Sequence, residues 1–363
     1  MYFAVTLKEN NLTFKNFKNM NRVSVIQKFI IIACPNKNFV PAIIVNKNNY
    51  LNFLSKIRYP IIWLMLLLAS CSGGNKSAMN ETPTRGSITI SADESIQPLI
   101  ETEVFTFTHL YPNAKIKTQF KPEYDVINDF MDDSVKVIVT SKKLSDYQIQ
   151  YLRDAQIIAR TTTYAYDALA IVTNKNNTDT ILKYNAIKDI FLGKIKKWKD
   201  INSNSKLGDI RVIFDNNKSG NIRYFKELFE IKDSLSGNFF AVNNNPEVIE
   251  FVSKNPDALG IISVNWISDK DDSLSTSFIN KVNVVAVSQQ YINDGSYYRP
   301  HQGFIYDKSY PFVREIYIIS RETFAGLGSG FKNWACAEQG QRIVLKSGLV
   351  PATMPIRLVQ IKK

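Results

Sequence analysis

The sequence predicts an α/β protein built on parallel or mixed sheets. From residue 86 onward, segments of strand character alternate with segments of helical period. Alternation of this kind is typical of sheets covered by helices. The chain has 363 residues, 45% of them hydrophobic and 21% charged, so its composition is globular and excludes a disordered protein, a coiled coil or a polytopic membrane protein. About 280 folded residues favour two lobes over a single sheet.

The strands are predicted from period-two alternation or from short apolar runs, and the helices from apolar residues three and four positions apart. In chain order, the predicted strands are 88–92, 115–120, 135–139, 168–172, 211–214, 260–264, 282–287 and 316–319. The predicted helices are 98–110, 124–131, one that Ser145 caps, 186–192, 222–229, 247–253 and 331–337. Residues 326–330, which are rich in glycine, are predicted to form a turn before the last of these helices.

The net charge of +12 lies mostly in the N-terminal part of the chain. Residues 1–70 contain nine Lys or Arg and one acid, whereas the remaining 293 residues contain 36 basic and 32 acidic ones. The folded part therefore lacks the excess positive charge that tracks a phosphate backbone, and we expect no nucleic-acid partner.

Residues 56–71 have the features of a bacterial lipoprotein signal peptide. Lys56 and Arg58 precede an unbroken apolar run, 61–68, which is too short to span a bilayer as a helix. Leu-Ala-Ser before Cys71 resembles a lipobox, in which the thiol takes a lipid, and residues 71–85 are expected to be a flexible tether. These features predict a lipid anchor at Cys71 and a location in the cell envelope, facing the periplasm or the exterior.

The first 55 residues do not fit a signal peptide that should stand at the N-terminus. They are rich in Asn and Lys and nearly free of acids. We expect residues 1–55 to be a spurious or unstructured extension, with translation starting near Lys56. A genuine extra cytoplasmic segment is the alternative.

Three predicted loops between a strand and a helix are rich in hydroxyl donors. In open α/β sheets ligands bind beyond the carboxyl ends of the strands, where such loops lead into helix N-termini. The loops are 91–95, 140–145 and 215–221, and their candidate binding residues are Glu94, Ser95, Thr140, Ser141, Lys142, Ser219, Gly220, Asn221 and Arg223.

The third loop has the chemistry of an anion site. The first N–H groups of a helix lack partners within the helix and point at an anion placed there. Gly220 allows a close approach to the backbone, and Arg223 in the first turn adds a charged fork. The alternative is that Ser219 and Ser145 are helix caps and nothing more.

Other residues are weaker candidates for chemistry. His109 and His301 have no metal-ligand spacing, and Cys336 is expected to be a small buried hydrophobic residue. The sequence has no visible Ser/His/Asp or paired-carboxylate arrangement. We therefore expect no metal, no cofactor and no enzymatic activity.

Two segments resemble the phosphate-type substrate-binding proteins of ABC transporters. Residues 190–201, I-F-L-G-K-I-K-K-W-K-D-I, match that family's I-F-x-G-K-I-x-x-W-x-D-I. Residues 330–334, G-F-K-N-W, and 340–351, G-Q-R-I-V-L-K-S-G-L-V-P, resemble its C-terminal motif. Residues 260–264, G-I-I-S-V, are similar to its G-x-I-G-Y strand, and the order of the motifs matches across residues 86–357.

The resemblance implies a two-lobed periplasmic-binding-protein fold with a mixed sheet in each lobe and strands crossing at a hinge. The expected boundaries are 86–165 plus about 290–363 for one lobe and about 166–289 for the other. It also implies a monomer that captures phosphate or a related oxyanion and delivers it to an ABC permease in the membrane.

The resemblance also assigns residues to the ligand, and here the sequence departs from the family. Glu94 and Ser95 fall where the family has a threonine and an aromatic residue, and residues 219–221 fall on its Ser-Gly-Thr. The family's aspartate that accepts a proton from phosphate is replaced by Ser141, and its arginine by Asp215. Glu94 and Glu123 add negative charge that opposes an anion. The alternatives are a lipoprotein with a sensing or presenting role and a different ligand, and, less favoured, a hydrolase.

Overall fold

The computed structural model describes residues 81–235, 237–292 and 294–355, together with four short strands between residues 2 and 43. The chain forms two compact units, Met1–Lys76 and Ser77–Lys363. In the first unit, β1 (Tyr2–Lys8) pairs with β2 (Asn11–Phe17), and β3 (Phe29–Ala33) with β4 (Phe39–Ile43), both antiparallel. Whether residues 1–55 belong to the mature protein stays a prediction, and the predicted signal peptide and Cys71 lie outside the described residues.

The second unit alternates strands and helices as predicted. Its strands are β5 (Gly86–Asp93), β6 (Ala114–Lys121), β7 (Val137–Thr140), β8 (Arg160–Asn174), β9 (Ile181–Leu182), β10 (Arg211–Phe214), β11 (Phe239–Ala241), β12 (Ala258–Ser263), β13 (Val282–Val284), β14 (Ala286–Ser288), β15 (Tyr297–Tyr298), β16 (Val313–Ser320) and β17 (Val350–Pro351). Its helices are α1 (Gln97–Leu110), α2 (Glu123–Met131), α3 (Asp146–Asp154), α4 (Tyr184–Phe191), α5 (Trp198–Ile201), α6 (Gly220–Leu228), α7 (Asn245–Lys254), α8 (Ser273–Lys281), α9 (Gln302–Tyr306), α10 (Leu327–Ala335) and α11 (Glu338–Lys346). No helix in the described part of the chain is long and apolar enough to cross a membrane.

Ten of these strands form one curled mixed sheet. Its order is β11-β10-β12-β8-β16-β7-β5-β6, and β13 and β17 also pair with β8. Strands β5, β6 and β7 are mutually parallel where they pair, as are β10, β11 and β12, whereas β8 is antiparallel to both β16 and β12. In these parallel groups β7, β10 and β12 are largely buried, whereas the outer strands β6 and β11 are partly exposed. The strands are followed by helices, as expected for crossover connections.

Strand β8 carries the chain from one lobe to the other. It has 15 residues, which span about 50 Å at roughly 3.3 Å per residue. Residues 160–168 pair with β16, and residues 169–173 pair with β12. This arrangement agrees with the predicted two-lobed fold, with β5–β7 and β16 in one lobe and β10–β12 in the other. The lobe boundaries at single-residue level stay a prediction.

An aromatic cluster fixes helix α6. Phe225 is fully buried, and its ring centroid lies 4.7 Å from that of Phe191 and 4.9 Å from that of Phe312. Fully burying such a side chain contributes about 1.5–3 kcal/mol. Because the middle of α6 is packed in this way, its first turn is held in a defined place at the edge of the sheet.

The structure corrects one local prediction. Residues 326–330 do not form a turn before a helix, because α10 begins at Leu327 and includes Gly328 and Gly330. The glycines serve close packing: a Cβ on Gly330 would lie 1.8 Å from the carbonyl oxygen of Pro83. The carboxylate of Glu322 accepts hydrogen bonds from the N–H groups of Gly328 and Ser329, which begin the helix. Cys336 ends α10 and is half-buried rather than fully buried.

Candidate functional site

The N-terminus of α6 lies where the third loop was predicted to place it. Ser219 is the N-cap: its hydroxyl accepts a hydrogen bond from Ile222 N–H at 3.4 Å and donates one to Asp215 Oδ1 at 2.6 Å. Both the cap and Gly220 are buried. The loop that leaves β10 therefore presents the first turn of a helix to the interior of the protein, with its unpaired N–H groups.

All three predicted loops meet at Gly220. A Cβ on this glycine would lie 2.7 Å from Ser141 Oγ, 2.8 Å from Glu123 Oε2 and 2.9 Å from Asp93 Oδ2. Ser141 comes from the loop after β7, and Asp93 is the last residue of β5 and lies within the predicted first loop, 91–95. Glycine is required here because side chains from the β5–β7 lobe approach its backbone so closely.

A buried arginine that the sequence analysis did not select lies at the centre of the site. Arg314 on β16 is 4% exposed, and its guanidinium pairs with the carboxylate of Asp167 at 2.8 Å. Its remaining N–H groups donate to Asn221 Oδ1 and Ser95 Oγ, both at 2.9 Å. Arg314 therefore brings a second guanidinium group, besides that of Arg223, to the start of α6.

Glu123 takes the hydrogen bonds of several predicted ligand-binding residues. The side chain of Arg223 donates to Glu123 through Nε and, at 3.1 Å, through Nη2. Thr140 and Ser141 also donate to Glu123 Oε2, at 3.3 and 2.5 Å. Burial raises the pKa of Glu123, but the charge and hydrogen bonds of Arg223 outweigh burial and lower it overall. Glu123 is therefore a buried carboxylate that stays ionised.

Three further carboxyl groups lie around the same helix end. Glu94 accepts hydrogen bonds from the backbone and side chain of Asn245, at 3.2 and 2.7 Å, and Asp215 accepts from Asn245 and Asn221. Asp93 accepts from Ser95 N–H, while its Oδ2 has no hydrogen-bond partner among the described residues. Within the described chain, no group of three or more His, Cys, Asp or Glu has a geometry that could hold a metal ion.

Burial raises the pKa of these three acids. The pKa is about 8 for Glu94, where the charge of Asp215 adds to burial, and about 6 for Asp215. It is about 7 for Asp93, where Glu123 adds to burial and Arg314 opposes it. With Glu123 and Asp167 they make five carboxyl groups against the guanidinium groups of Arg223 and Arg314. Near neutral pH, protonation of some of these acids therefore reduces the negative charge of the site.

The raised pKa values predict that stability falls as pH rises. An acid whose pKa is higher in the folded state than in the unfolded chain binds more protons when folded, and the stability it contributes is lost as pH rises through the folded pKa. For Glu94 this window runs from 4.5 to about 8. We expect the free energy of unfolding to decrease across it, and Glu94→Gln to remove up to about 1.4 kcal/mol per pH unit of that slope.

Urea denaturation in phosphate-free buffer at several pH values measures the slope. Glu101→Gln is the matched control, because Glu101 lies on the exposed side of α1 and accepts a hydrogen bond from Gln97. An unchanged slope in Glu94→Gln would contradict the assignment of a protonated Glu94.

The remaining predicted residues lie at the edge of the site. Lys142 does not reach the buried acids and pairs with Glu227 at 3.4 Å. It lines a cleft of about 1100 Å³ between α2 and α6, which Glu123, Arg223, Lys218 and Lys226 also line. Among the predicted residues, Lys142 therefore lies apart from the buried group around Gly220, at a cleft that lysines line together with Glu227 and Glu230.

Sequence reasoning missed Asp93, Asp167, Asn245 and Arg314. Two of them had a visible signal, because Asp167 stands at the start of an apolar run in its strand and Arg314 shares a strand face with the buried Phe312 and Ile316. A charged residue on the buried face of a strand needs a partner, and its presence points to a site or an internal ion pair. Asn245 had no such signal, since it follows the N-cap of α7 like many other asparagines.

Known proteins resemble this chain over most of its described length. A family model described as a PBP superfamily domain matches residues 77–339. The phosphate-binding protein PstS of Staphylococcus epidermidis is 25% identical over 252 residues, which are 68% of this chain and 77% of that protein.

Solved structures share the fold. The structure of a phosphate ABC transporter substrate-binding protein from Clostridium perfringens, with bound phosphate, is 25% identical to this chain, with a TM-score of 0.62. The match covers 74% of this chain and 100% of that one. An ABC-type phosphate transport receptor from Vibrio cholerae shares the fold at 20% identity, with a TM-score of 0.56 and coverage of 73% and 100%.

Proposed function

Because this chain belongs to the PBP superfamily, we propose that it captures phosphate, or a closely related oxyanion, between its lobes for an ABC importer. The observation that carries the proposal is the convergence of the α6 N-terminus with Arg314, Arg223 and the hydroxyl groups of Ser95 and Ser141. Helix N-termini and guanidinium groups are the usual protein ligands of tetrahedral oxyanions. The phosphate-binding names of the relatives support the same ligand.

The buried acids set the conditions for binding an anion. Ionised carboxylates repel phosphate, whereas a protonated carboxyl group donates a hydrogen bond to it. Asp93, with a pKa of about 7 and an unpartnered Oδ2, is suited to exchange a proton with a phosphate oxygen. We expect Asp93 rather than Ser141 to fulfil the proton-accepting role that the family aspartate has.

We propose that the protein binds its ligand without chemical change. The side chains at the site donate hydrogen bonds or hold charge, and the relatives are named as phosphate-binding proteins. The hydrolase alternative predicts turnover of a phosphate ester with or without a divalent metal, which a hydrolysis assay detects.

The excess of carboxyl groups favours a second candidate function. Five carboxyl groups would repel a ligand of lower negative charge less than they repel free phosphate, as expected for a lipoprotein that senses or presents a different ligand. Adjacent permease and ATPase genes would favour transport, and their absence would favour the second candidate.

We also propose that the mature protein is a monomer held at the membrane by lipidated Cys71. The supporting observations are the apolar run and lipobox-like residues before Cys71 and the ABC-transporter role of the relatives. Incorporation of a labelled fatty acid in the native protein but not in Cys71→Ser would test the anchor.

Isothermal calorimetry of the purified protein with phosphate tests the proposed ligand. We expect heat with phosphate that arsenate abolishes by competition and sulfate does not, since sulfate carries no proton near neutral pH to share with Asp93. No heat from a cooperatively folding sample would contradict phosphate binding and favour the sensing or presenting role.

A further inference from the structure

Glu123 occupies the place and takes the hydrogen bonds that the bound oxyanion would take. Its side chain is 2% exposed, and Oε2 would lie 2.8 Å from a Cβ added to Gly220 at the start of α6. It accepts hydrogen bonds from Thr140, Ser141 and Arg223, three of the residues that the sequence assigns to the ligand. A ligand oxyanion at the same helix end would need the same donors.

The same carboxylate joins the two lobes. Glu123 begins α2, which lies between β6 and β7, whereas Arg223 belongs to α6, which lies between β10 and β11. Around this pair, Asp125 and Lys218 pair at 2.9 Å, and Tyr124 N–H donates to the carbonyl of Lys218 at 3.2 Å. The Glu123–Arg223 pair is the buried member of this group, and buried pairs are far less screened by solvent than exposed ones.

We propose, on the basis of the function proposed above, that Glu123 is an internal competing anion: it closes the lobes through Arg223, and an oxyanion binds by displacing it. The ligand must outcompete a carboxylate that is already in contact with the donors. Doubly charged tetrahedral oxyanions such as hydrogen phosphate do so by their greater charge and larger number of acceptor oxygens, whereas monoanions such as acetate or nitrate do not.

The cleft provides a place for the displaced side chain. Glu123 itself lines the cleft of about 1100 Å³, and Lys142, Lys218 and Lys226 line it as well. A rotated Glu123 carboxylate would share these ammonium groups with Glu227 and Asp125, which already pair with Lys142 and Lys218. Displacement therefore moves the carboxylate toward other cations in the open cleft and does not leave it buried without a partner.

The test compares Glu123→Gln, Arg223→Gln and the matched control Asp125→Asn. Asp125 lies on the same helix and pairs across the lobes, but it lies at the rim, with 33% of its side chain exposed. Small-angle scattering in phosphate-free buffer measures lobe closure, and calorimetry measures phosphate affinity. We expect Glu123→Gln and Arg223→Gln to increase the radius of gyration, and Asp125→Asn to leave it unchanged.

The phosphate affinity of the variants shows whether Glu123 competes with the ligand or only forms a structural ion pair with Arg223. We expect Glu123→Gln to bind phosphate about tenfold more tightly or better, because a like charge is removed from the ligand position. Arg223→Gln should bind more weakly, and Asp125→Asn should change affinity less than about twofold. Weaker or equal binding by Glu123→Gln, or an unchanged radius of gyration, would overturn the proposal.

The two readouts keep this proposal apart from the proposed function. If neither the native protein nor any of the variants binds phosphate, the proposed ligand is wrong. A larger radius of gyration in Glu123→Gln but not in Asp125→Asn would still support the role of Glu123 in closing the lobes. An unchanged radius of gyration in Glu123→Gln would refute that role.

Discussion

Gly220→Asp is expected to reduce the affinity for phosphate by at least about a hundredfold, which corresponds to about 2.7 kcal/mol. The new Cβ alone would lie within 3 Å of Ser141 Oγ, Glu123 Oε2 and Asp93 Oδ2, so these side chains must move. The new carboxylate would stand at the helix end that the ligand needs, beside two existing carboxyl groups. Repulsion and lost space therefore act in the same direction.

Calorimetry measures this loss, and thermal unfolding shows whether the fold persists. Gly237→Asp is the matched control, since a Cβ on Gly237 meets no atom within 4 Å and the same charge is added. Near-normal phosphate affinity in a folded Gly220→Asp variant would refute the assignment of the α6 N-terminus as the binding site.

Arg314→Gln is expected to lower the free energy of unfolding by about 3–5 kcal/mol, the range measured when one partner of a buried ion pair is removed. The side chains of Arg314 and Asp167 are 2% and 0% exposed, so Asp167 would keep an uncompensated charge away from water. Ser95 and Asn221 would also lose the donor that links them. The lost guanidinium would weaken phosphate binding as well.

Urea denaturation measures the change in stability. Arg342→Gln serves as the control, because Arg342 pairs with Glu338 at the surface, with side chains 70% and 69% exposed, and should cost at most about 0.5 kcal/mol. Arg314→Lys keeps the charge but not the fork of donors, and we expect an intermediate loss. A loss below about 1 kcal/mol in Arg314→Gln would show that Asp167 is not held by this pair.

Local patterns in the sequence predicted the elements and their order. Seven of the eight predicted strands are present as single strands, and the predicted strand 282–287 is divided at Val285 into β13 and β14. Ser145 and Ser219 are the N-caps of α3 and α6. These features are set by residues a few positions apart, through side-chain alternation, helical period and capping hydrogen bonds. The three loops that meet at Gly220 were recognised for the same reason, because hydroxyl-rich residues after a strand have a local signature.

Resemblance to a family supplied the two-lobed fold and the ligand class, but it placed the charges incompletely. It indicated that the family arginine and aspartate are replaced by Asp215 and Ser141. It did not show that Arg314 and Asp93 stand in the same pocket. Motif matching compares positions along the chain and does not show which residues of distant strands lie together.

The sequence by itself determined that this is an α/β protein whose hydroxyl-rich loops precede helices, with an apolar run and a cysteine before the folded part. The tertiary structure alone decided which charges face each other. Arg314 meets Ser95 across 219 positions of the chain, and Arg223 meets Glu123 across 100. No local pattern specifies such pairs, because they depend on the path of β8 between the lobes and on the packing of α6. That packing turns separate capped loops into one buried site and places a carboxylate of the protein at its centre.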